Sequence, residues 1–163
     1  MNEIKNFEQY IDIASIHASR IKTALEKLAL TRPITLFFIT TATFEELGYI
    51  EFALHRFAKL QDLLGSKIFP FIVVLLGENT DNQTYIDTLN ILEKFHLLPS
   101  TQEWLKWRTI RNDLAHDYPG DNIKTIHETN KAIDTAEQLL SYWEILLPKI
   151  QTLVQKYKMT VKE

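Results

Sequence analysis

The residues best suited to chemistry lie in one stretch, EWLKWRTIRNDLAHDYPG, at positions 103–120. It combines Arg108, Arg111 and Asn112 with His116. A guanidinium binds phosphate oxygens through its planar fork, and an imidazole transfers protons near neutral pH. Such a pair can cleave RNA without a metal ion, because the ribose 2′-OH supplies the nucleophile. The chemistry that this stretch could perform is cleavage of an RNA phosphodiester by Arg111 and His116.

Helix geometry predicts where these side chains would point. At about 100° per residue, Arg108 falls about 60° from Arg111. Asn112 and His116 follow at about 100° and about 140°. The apolar and aromatic residues of the stretch cluster near the direction of Arg111: Trp104, Trp107, Leu114 and Tyr118. We therefore expect Arg111 at the seam between a buried aromatic face and a polar edge.

On spacing alone, a structural interpretation of these residues is the better supported one. An arginine in the last turns of a bundle helix often pairs with an acid, here one such as Asp113 or Asp117, and a histidine there often caps the helix. Trp104 and Trp107 could stack on RNA bases, or they could pack in the core or at a dimer interface. Their place on the apolar face favours packing.

The motif formed by Arg111, Asn112, His116 and Tyr118 resembles a family signature. It is similar to the R-N-x-x-x-H-x-Y signature of HEPN proteins (higher eukaryotes and prokaryotes nucleotide-binding), in the branch that contains the HepT toxins. As in that family, it lies near the end of a penultimate helix, before a long final helix. The segment RFAKLQDLLGSKIFP at 56–70 and the aromatic-rich helix before it resemble the same branch. The resemblance covers most of the chain.

The resemblance implies a metal-independent endoribonuclease, the toxin of a toxin–antitoxin pair, which cuts tRNA or mRNA. Two protomers would form a homodimer that brings their Arg–His elements together across a cleft. His116 would be the general base and acid, Arg111 would hold the scissile phosphate, and Asn112 would orient His116 or the substrate. Arg108 is a further candidate for substrate binding. A cognate minimal nucleotidyltransferase of the MntA type would be the antitoxin, transferring AMP onto Tyr118.

A second function stays open at this point. Some relatives are regarded as non-catalytic subunits that bind nucleotide or substrate for a nucleotidyltransferase. In that case Arg111 and His116 would be ligand contacts. A third possibility is a structural bundle in which the motif residues form ion pairs and helix caps.

The composition narrows the classes further. The 163 residues predict one domain, 1–163. With 18 Lys and Arg against 21 Asp and Glu, the net charge of −3 excludes a generally basic coat for nucleic acid, and we expect no DNA partner. The chain has no Cys, which excludes disulfides, thiol nucleophiles and Cys-ligated metal. The remaining histidines show no ligand spacing, so we expect no metal and no cofactor: His17, His55, His96 and His127.

Membrane and export signals are not evident in the sequence. The longest wholly apolar run, 68–76, is far shorter than the ~20 residues that cross a bilayer. The first residues lack the apolar segment of a secretory signal. We therefore expect a cytoplasmic protein with no membrane partner.

Hydrophobic periodicity and helix caps predict an all-α fold, an antiparallel helical bundle of four to six helices. The expected helices cover 7–30, 44–64, 67–76, 81–95, a segment that begins after Ser100 and stops at Pro119, and 122–157 with a kink at Pro148. Capping boxes are expected at Thr43 and Ser100. Ser66 is expected to cap the third helix.

Other local expectations concern less regular positions. Residues 34–42 resemble a strand in composition but lack a partner strand, so we expect irregular structure. Gly65 and Gly77 are expected to stop helices, and Ile86, Leu89 and Leu92 to face inward. Arg56, Lys59 and Asp62 recur every three residues, and a solvated or interhelical salt bridge is the default interpretation of that series. These residues would contact RNA only if their face borders the cleft.

Overall fold

The computed structural model describes residues 2–114 and 122–160, and within these ranges it is an all-helical bundle without strands. The helices are α1 (Asn2–Leu28), α2 (Leu36–Thr41), α3 (Phe44–Leu63), α4 (Phe69–Leu75), α5 (Tyr85–Lys94), α6 (Thr101–Asp113) and α7 (Asn122–Thr160). A π-helical segment, Leu64–Ile68, joins α3 to α4. The predicted all-α class is confirmed. Among the described helices, none combines the length and the apolar character needed to cross a membrane.

Three long helices, α1, α3 and α7, pack against one another at the centre of the bundle. The apolar residues of α1 that recur at intervals of three and four, the periodicity that predicted this helix, are all buried: Ile11, Ala14, Ala18, Ile21, Leu25 and Leu28. Each aliphatic side chain that is fully buried in this way stabilises the fold by roughly 1.5–3 kcal/mol. The buried face of α7 includes Ile133, Ala136, Leu139, Trp143 and Leu146. Helix α4 packs on α7, α6 packs on α3 and α7, and α5 packs on α4 and α6.

Side-chain caps set the beginnings of α3, α5 and α6. The Thr43 box is confirmed, since Thr43 Oγ1 accepts from the Glu46 amide at 3.2 Å and Glu46 accepts from the Thr43 amide at 2.7 Å. At α6, Ser100 accepts from the Glu103 amide at 3.2 Å, but the Glu103 side chain pairs with Lys106. A further box, formed by Thr84 and Asp87, starts α5 later than predicted.

Gly65 does not stop a helix, contrary to the prediction. It is buried within the π-helical segment, and a Cβ at this position would lie 2.8 Å from Tyr85 Oη and 3.4 Å from Trp104 Cζ2. The absence of a side chain at Gly65 therefore lets Tyr85 and Trp104 pack closely against the backbone, and the chain continues as a helix. Because the backbone at Ser66 is already helical, Ser66 makes no cap, which also corrects the prediction. Gly77, with φ of +74°, does follow the end of α4 as expected.

Residues 34–42 are not irregular, because α2 forms within them. Thr35 caps this helix by accepting from the Phe38 amide at 3.2 Å. The chain before it is anchored to α7, where Asn130 Oδ1 accepts from the Ile34 amide at 2.7 Å. The predicted inward placement of Ile86 is also wrong, since its side chain is 44% exposed in the first turn of α5. The buried residues of α5 are Thr88, Leu89 and Leu92.

Candidate functional site

Arg111 lies in the last turn of α6 and is held by groups from two helices. Its Nη2 donates to Asp62 of α3 in an ion pair that joins the helices. Its Nη1 donates to Asn112 Oδ1 at 3.0 Å. The acid that pairs with Arg111 is thus Asp62, not the neighbouring Asp113 suggested by spacing, and Asp117 lies outside the described residues. The guanidinium is half-buried, as the seam position predicted.

Of the other predicted site residues, Arg108 and Asn112 are described by the structure, whereas His116 and Tyr118 are not. Arg108 is exposed on α6, where its guanidinium lies 4.7 Å from the centre of the Tyr85 ring in a cation–π contact. Asn112 is exposed beside Arg111. The predicted base His116 and the predicted modification site Tyr118 lie outside the described residues. Within the described part, therefore, the arginines point to different neighbours, Arg111 to Asp62 and Arg108 to Tyr85.

Arg111 opens onto a groove of about 430 Å³ between α3 and the end of α6, which we call the Arg111 groove. Its lining residues are Glu51, Leu54, His55, Ala58, Arg111 and Leu114. The groove combines a guanidinium with an imidazole and a carboxylate, which are groups that bind phosphate and transfer protons. Sequence reasoning missed His55 and Glu51. Their signal was their spacing, because Glu51, His55 and Asp62 recur at intervals that share one face of a helix.

A second cavity, of about 310 Å³, adjoins the Asp62–Arg111 ion pair, because Asp62 is part of its lining. We call it the Gln61 pocket, and its lining residues are Gln61, Asp62, Gly65, Ser66, Tyr85, Trp104 and Arg108. Tyr85 and Trp104 contribute the aromatic part of its lining. They are joined by a hydrogen bond in which Trp104 Nε1 donates to Tyr85 Oη at 2.7 Å. Asp62 lines this pocket while pairing with Arg111 of the groove, so the ion pair connects the two cavities.

Both tryptophans of α6 are buried in the core, as the packing interpretation predicted. Trp104 packs on Phe69, with ring centres 4.5 Å apart, and on Tyr142, with ring centres 6.5 Å apart. Trp107 packs 5.8 Å from Tyr142, and its Nε1 donates to Gln138 Oε1 at 3.0 Å. The aromatic cluster therefore fixes α6 against the core. The position of α6 in turn determines where Arg111 and Arg108 lie.

The series Arg56, Lys59 and Asp62 contains two interhelical contacts, in line with its default interpretation. Asp62 makes the ion pair with Arg111. Arg56 Nη1 donates to His17 Nδ1 of α1 at 3.4 Å. Burial lowers the pKa of His17, and the positive charge of Arg56 lowers it further. The neutral imidazole is therefore the form that accepts this hydrogen bond.

The described side chains of the two cavities can bind an anion, stack on an aromatic ring and exchange a proton. In the ranges 2–114 and 122–160, no three His, Asp or Glu side chains come together as a possible metal site. Comparisons of the chain with protein-family models, with curated proteins and with solved structures found no match.

Proposed function

We propose that the chain is a metal-independent endoribonuclease of the HEPN type and the toxin of a toxin–antitoxin pair. One observation carries this proposal: the half-buried Arg111 is held by Asp62 and Asn112 at the wall of an open groove. A guanidinium has several N–H donors, and these two contacts leave others for a phosphate. Because the guanidinium is already oriented, binding a phosphate there costs little further side-chain entropy.

In the proposed reaction, His116 removes the proton from a ribose 2′-OH. The 2′-oxygen then attacks the adjacent phosphorus, while Arg111 donates to the non-bridging oxygens that gain charge. The bond from phosphorus to the 5′-oxygen of the next nucleotide breaks, and that oxygen leaves with a proton from an imidazolium. The products are a 2′,3′-cyclic phosphate and a 5′-hydroxyl. Asn112 would orient His116 or the substrate.

The proposal includes a homodimer and an inhibitor. Two copies would place their Arg–His elements at one cleft and double the local positive charge of Arg108 and Arg111. RNA, either tRNA or mRNA, would be the substrate. A minimal nucleotidyltransferase of the MntA type would silence the toxin by transferring AMP onto Tyr118, since the added charge and bulk would block the cleft.

Cleavage in excess EDTA tests the proposal. Purified protein incubated with bulk tRNA or mRNA should yield fragments with 2′,3′-cyclic phosphate ends. His116→Ala and Arg111→Ala should lower the rate at least about 100-fold, a typical loss for a general base or a charge-stabilising group. Arg20→Ala and His127→Ala change exposed residues of the same types elsewhere and should cleave like the unaltered protein.

Two controls complete this experiment. Thermal melting of Arg111→Ala shows whether the variant is folded, and Arg111→Lys keeps the charge but loses the planar fork. If the Arg111 and His116 variants cleave like the unaltered protein, the site is wrong.

The Asp62–Arg111 ion pair also favours a second candidate, a non-catalytic subunit that presents nucleotide or substrate to a nucleotidyltransferase. An arginine that already has a carboxylate partner can serve as a ligand contact without taking part in chemistry. This candidate predicts co-purification with a small nucleotidyltransferase, no RNA cleavage, and no growth arrest when the chain is expressed.

A further inference from the structure

Gln61 has a buried polar side chain that lacks a partner. It is 3% exposed on α3, and its Nε2 has no hydrogen-bond partner. Burying an unpaired amide N–H is unfavourable, and buried polar groups in proteins are usually paired. Gln61 lines the Gln61 pocket, so a ligand in that pocket can supply the missing acceptor.

The pocket also provides one half-buried aromatic ring, that of Tyr85, and further donors. Tyr85 Oη accepts from Trp104 Nε1, so the hydroxyl hydrogen of Tyr85 remains able to donate to a ligand. The guanidinium of Arg108 lies over the Tyr85 ring, 4.7 Å from its centre, and adds a second planar group to the lining. A cavity of about 310 Å³ is at the lower end of the range for ligand sites. These features fit one planar ring system with polar edges.

The polar groups select among planar ligands. The carboxamide of Gln61 offers one donor and one acceptor, and the adjacent Asp62 carboxylate offers a second acceptor. The carboxylate disfavours a bare anion in this pocket. The Watson–Crick edge of guanine carries the complementary set, with O6 as acceptor and N1–H and the N2 amino group as donors. Adenine and cytosine lack the second donor position, and uracil has one donor between two acceptors.

We propose that the Gln61 pocket binds an unpaired guanine base, with O6 on Gln61 Nε2, N1–H on Gln61 Oε1 and the N2 amino group on Asp62. Unpaired RNA bases are commonly read in this way, by stacking on aromatic or guanidinium planes and by hydrogen bonds to their edges. As a specificity site the pocket rests on the proposed function. The Asp62–Arg111 ion pair links it to the groove, so a phosphate on Arg111 and a guanine in the pocket belong to one strand.

Titration of the full chain with four nucleoside 5′-monophosphates tests this assignment without any cleavage. GMP should bind at least about tenfold more tightly than AMP, CMP or UMP when measured by calorimetry, the discrimination expected of one well-made pair of hydrogen bonds. Gln61→Met keeps the size of the buried side chain but removes its polar atoms, and should weaken GMP binding at least about tenfold. Gln61→Glu should do the same, because it replaces the donor to O6 with an acceptor.

Gln102→Met is the matched control, since Gln102 is exposed on α6 and lines neither cavity. It should bind GMP like the unaltered chain. Thermal melting should show that Gln61→Met is folded, because exchanging an unpaired amide for a thioether of similar size costs the core little. The assignment is overturned if the four nucleotides bind equally, if none binds, or if GMP binding survives both Gln61 substitutions.

The two proposals fail in different ways. If GMP binds selectively but RNA is never cleaved, the pocket stands and the ribonuclease function is wrong. If RNA is cleaved with no preference for sites next to guanine and GMP binds no better than AMP, the ribonuclease function stands and the pocket assignment is wrong.

Discussion

Arg111 shows how one side chain can be oriented without contributing much to stability. Its side chain is 32% exposed and that of Asp62 is 51% exposed, and ion pairs in such positions typically contribute about 0–1 kcal/mol. Asp62 and Asn112 therefore do more to orient the guanidinium than to stabilise the fold. If Arg111 had a purely structural role, Arg111→Ala should lower the stability of the fold substantially. The exposed ion pair with Asp62 is too weak to account for such a loss.

His17 gives the fold a pH dependence at the residue scale. Its pKa in the folded chain lies below the ordinary value of 6.5, first because of burial and then because of the nearby charge of Arg56. Below pH 6.5 the unfolded chain takes up a proton that the folded chain resists, so stability present above that pH is lost as the pH falls.

We expect the melting temperature to fall by about 1–2 °C more in the unaltered chain than in His17→Gln between neutral pH and about pH 5, with solvent screening keeping the effect small. Circular dichroism across this pH range measures it. His127→Gln, which changes an exposed histidine, should track the unaltered chain. Parallel curves for the unaltered chain and His17→Gln would show that His17 does not couple folding to pH.

At the scale of elements, local signals predicted much of the fold. The periodicity of α1 and the Thr43 box depend on residues within one or two turns, and both were predicted correctly. Gly65 was misjudged because its close neighbours, Tyr85 and Trp104, lie far along the chain. The site shows the same division. A local motif singled out Arg111 and Asn112 as candidates, whereas the placement of Asp62 and Gln61 near them depends on the packing of helices that are distant in the sequence.

The Thr43 box should be measurable as a unit of helix stability. Thr43→Ala removes the acceptor for the Glu46 amide and leaves that helix end uncapped. We expect a loss of about 2–4 °C in the melting temperature. Thr23→Ala, at an exposed position inside α1, should not lower it, because alanine is the better helix former there. Equal melting temperatures for the two variants would contradict a stabilising role for this box.

At the scale of the whole molecule, several large apolar side chains between positions 30 and 44 are not covered by the part of the chain that the structure describes. We call this set the α2 patch, and its exposed members are Leu30, Leu36, Phe37, Ile39 and Phe44. Phe37 is 76% exposed and Phe44 is 94% exposed. The chain that leads into α2 is held to α7, where Arg32 pairs with Asp134 at 2.9 Å. Asp134 in turn lines a cavity with Trp107 of α6, so the anchor of the α2 patch adjoins the helix that carries Arg111.

Large exposed apolar side chains concentrated in one stretch of the chain favour a protein interface, and the proposed function requires two copies side by side. We therefore expect a dimer that buries the α2 patch, detected by light scattering coupled to size-exclusion chromatography. Phe37→Glu should give a monomer, because dimerisation would then bury an unpaired carboxylate. Ile145→Glu changes an exposed apolar residue of α7 and should leave the dimer intact. If the unaltered chain is monomeric, or if Phe37→Glu stays dimeric, the α2 patch is not the interface. If the monomeric variant no longer cleaves RNA, the interface is needed to form the composite site.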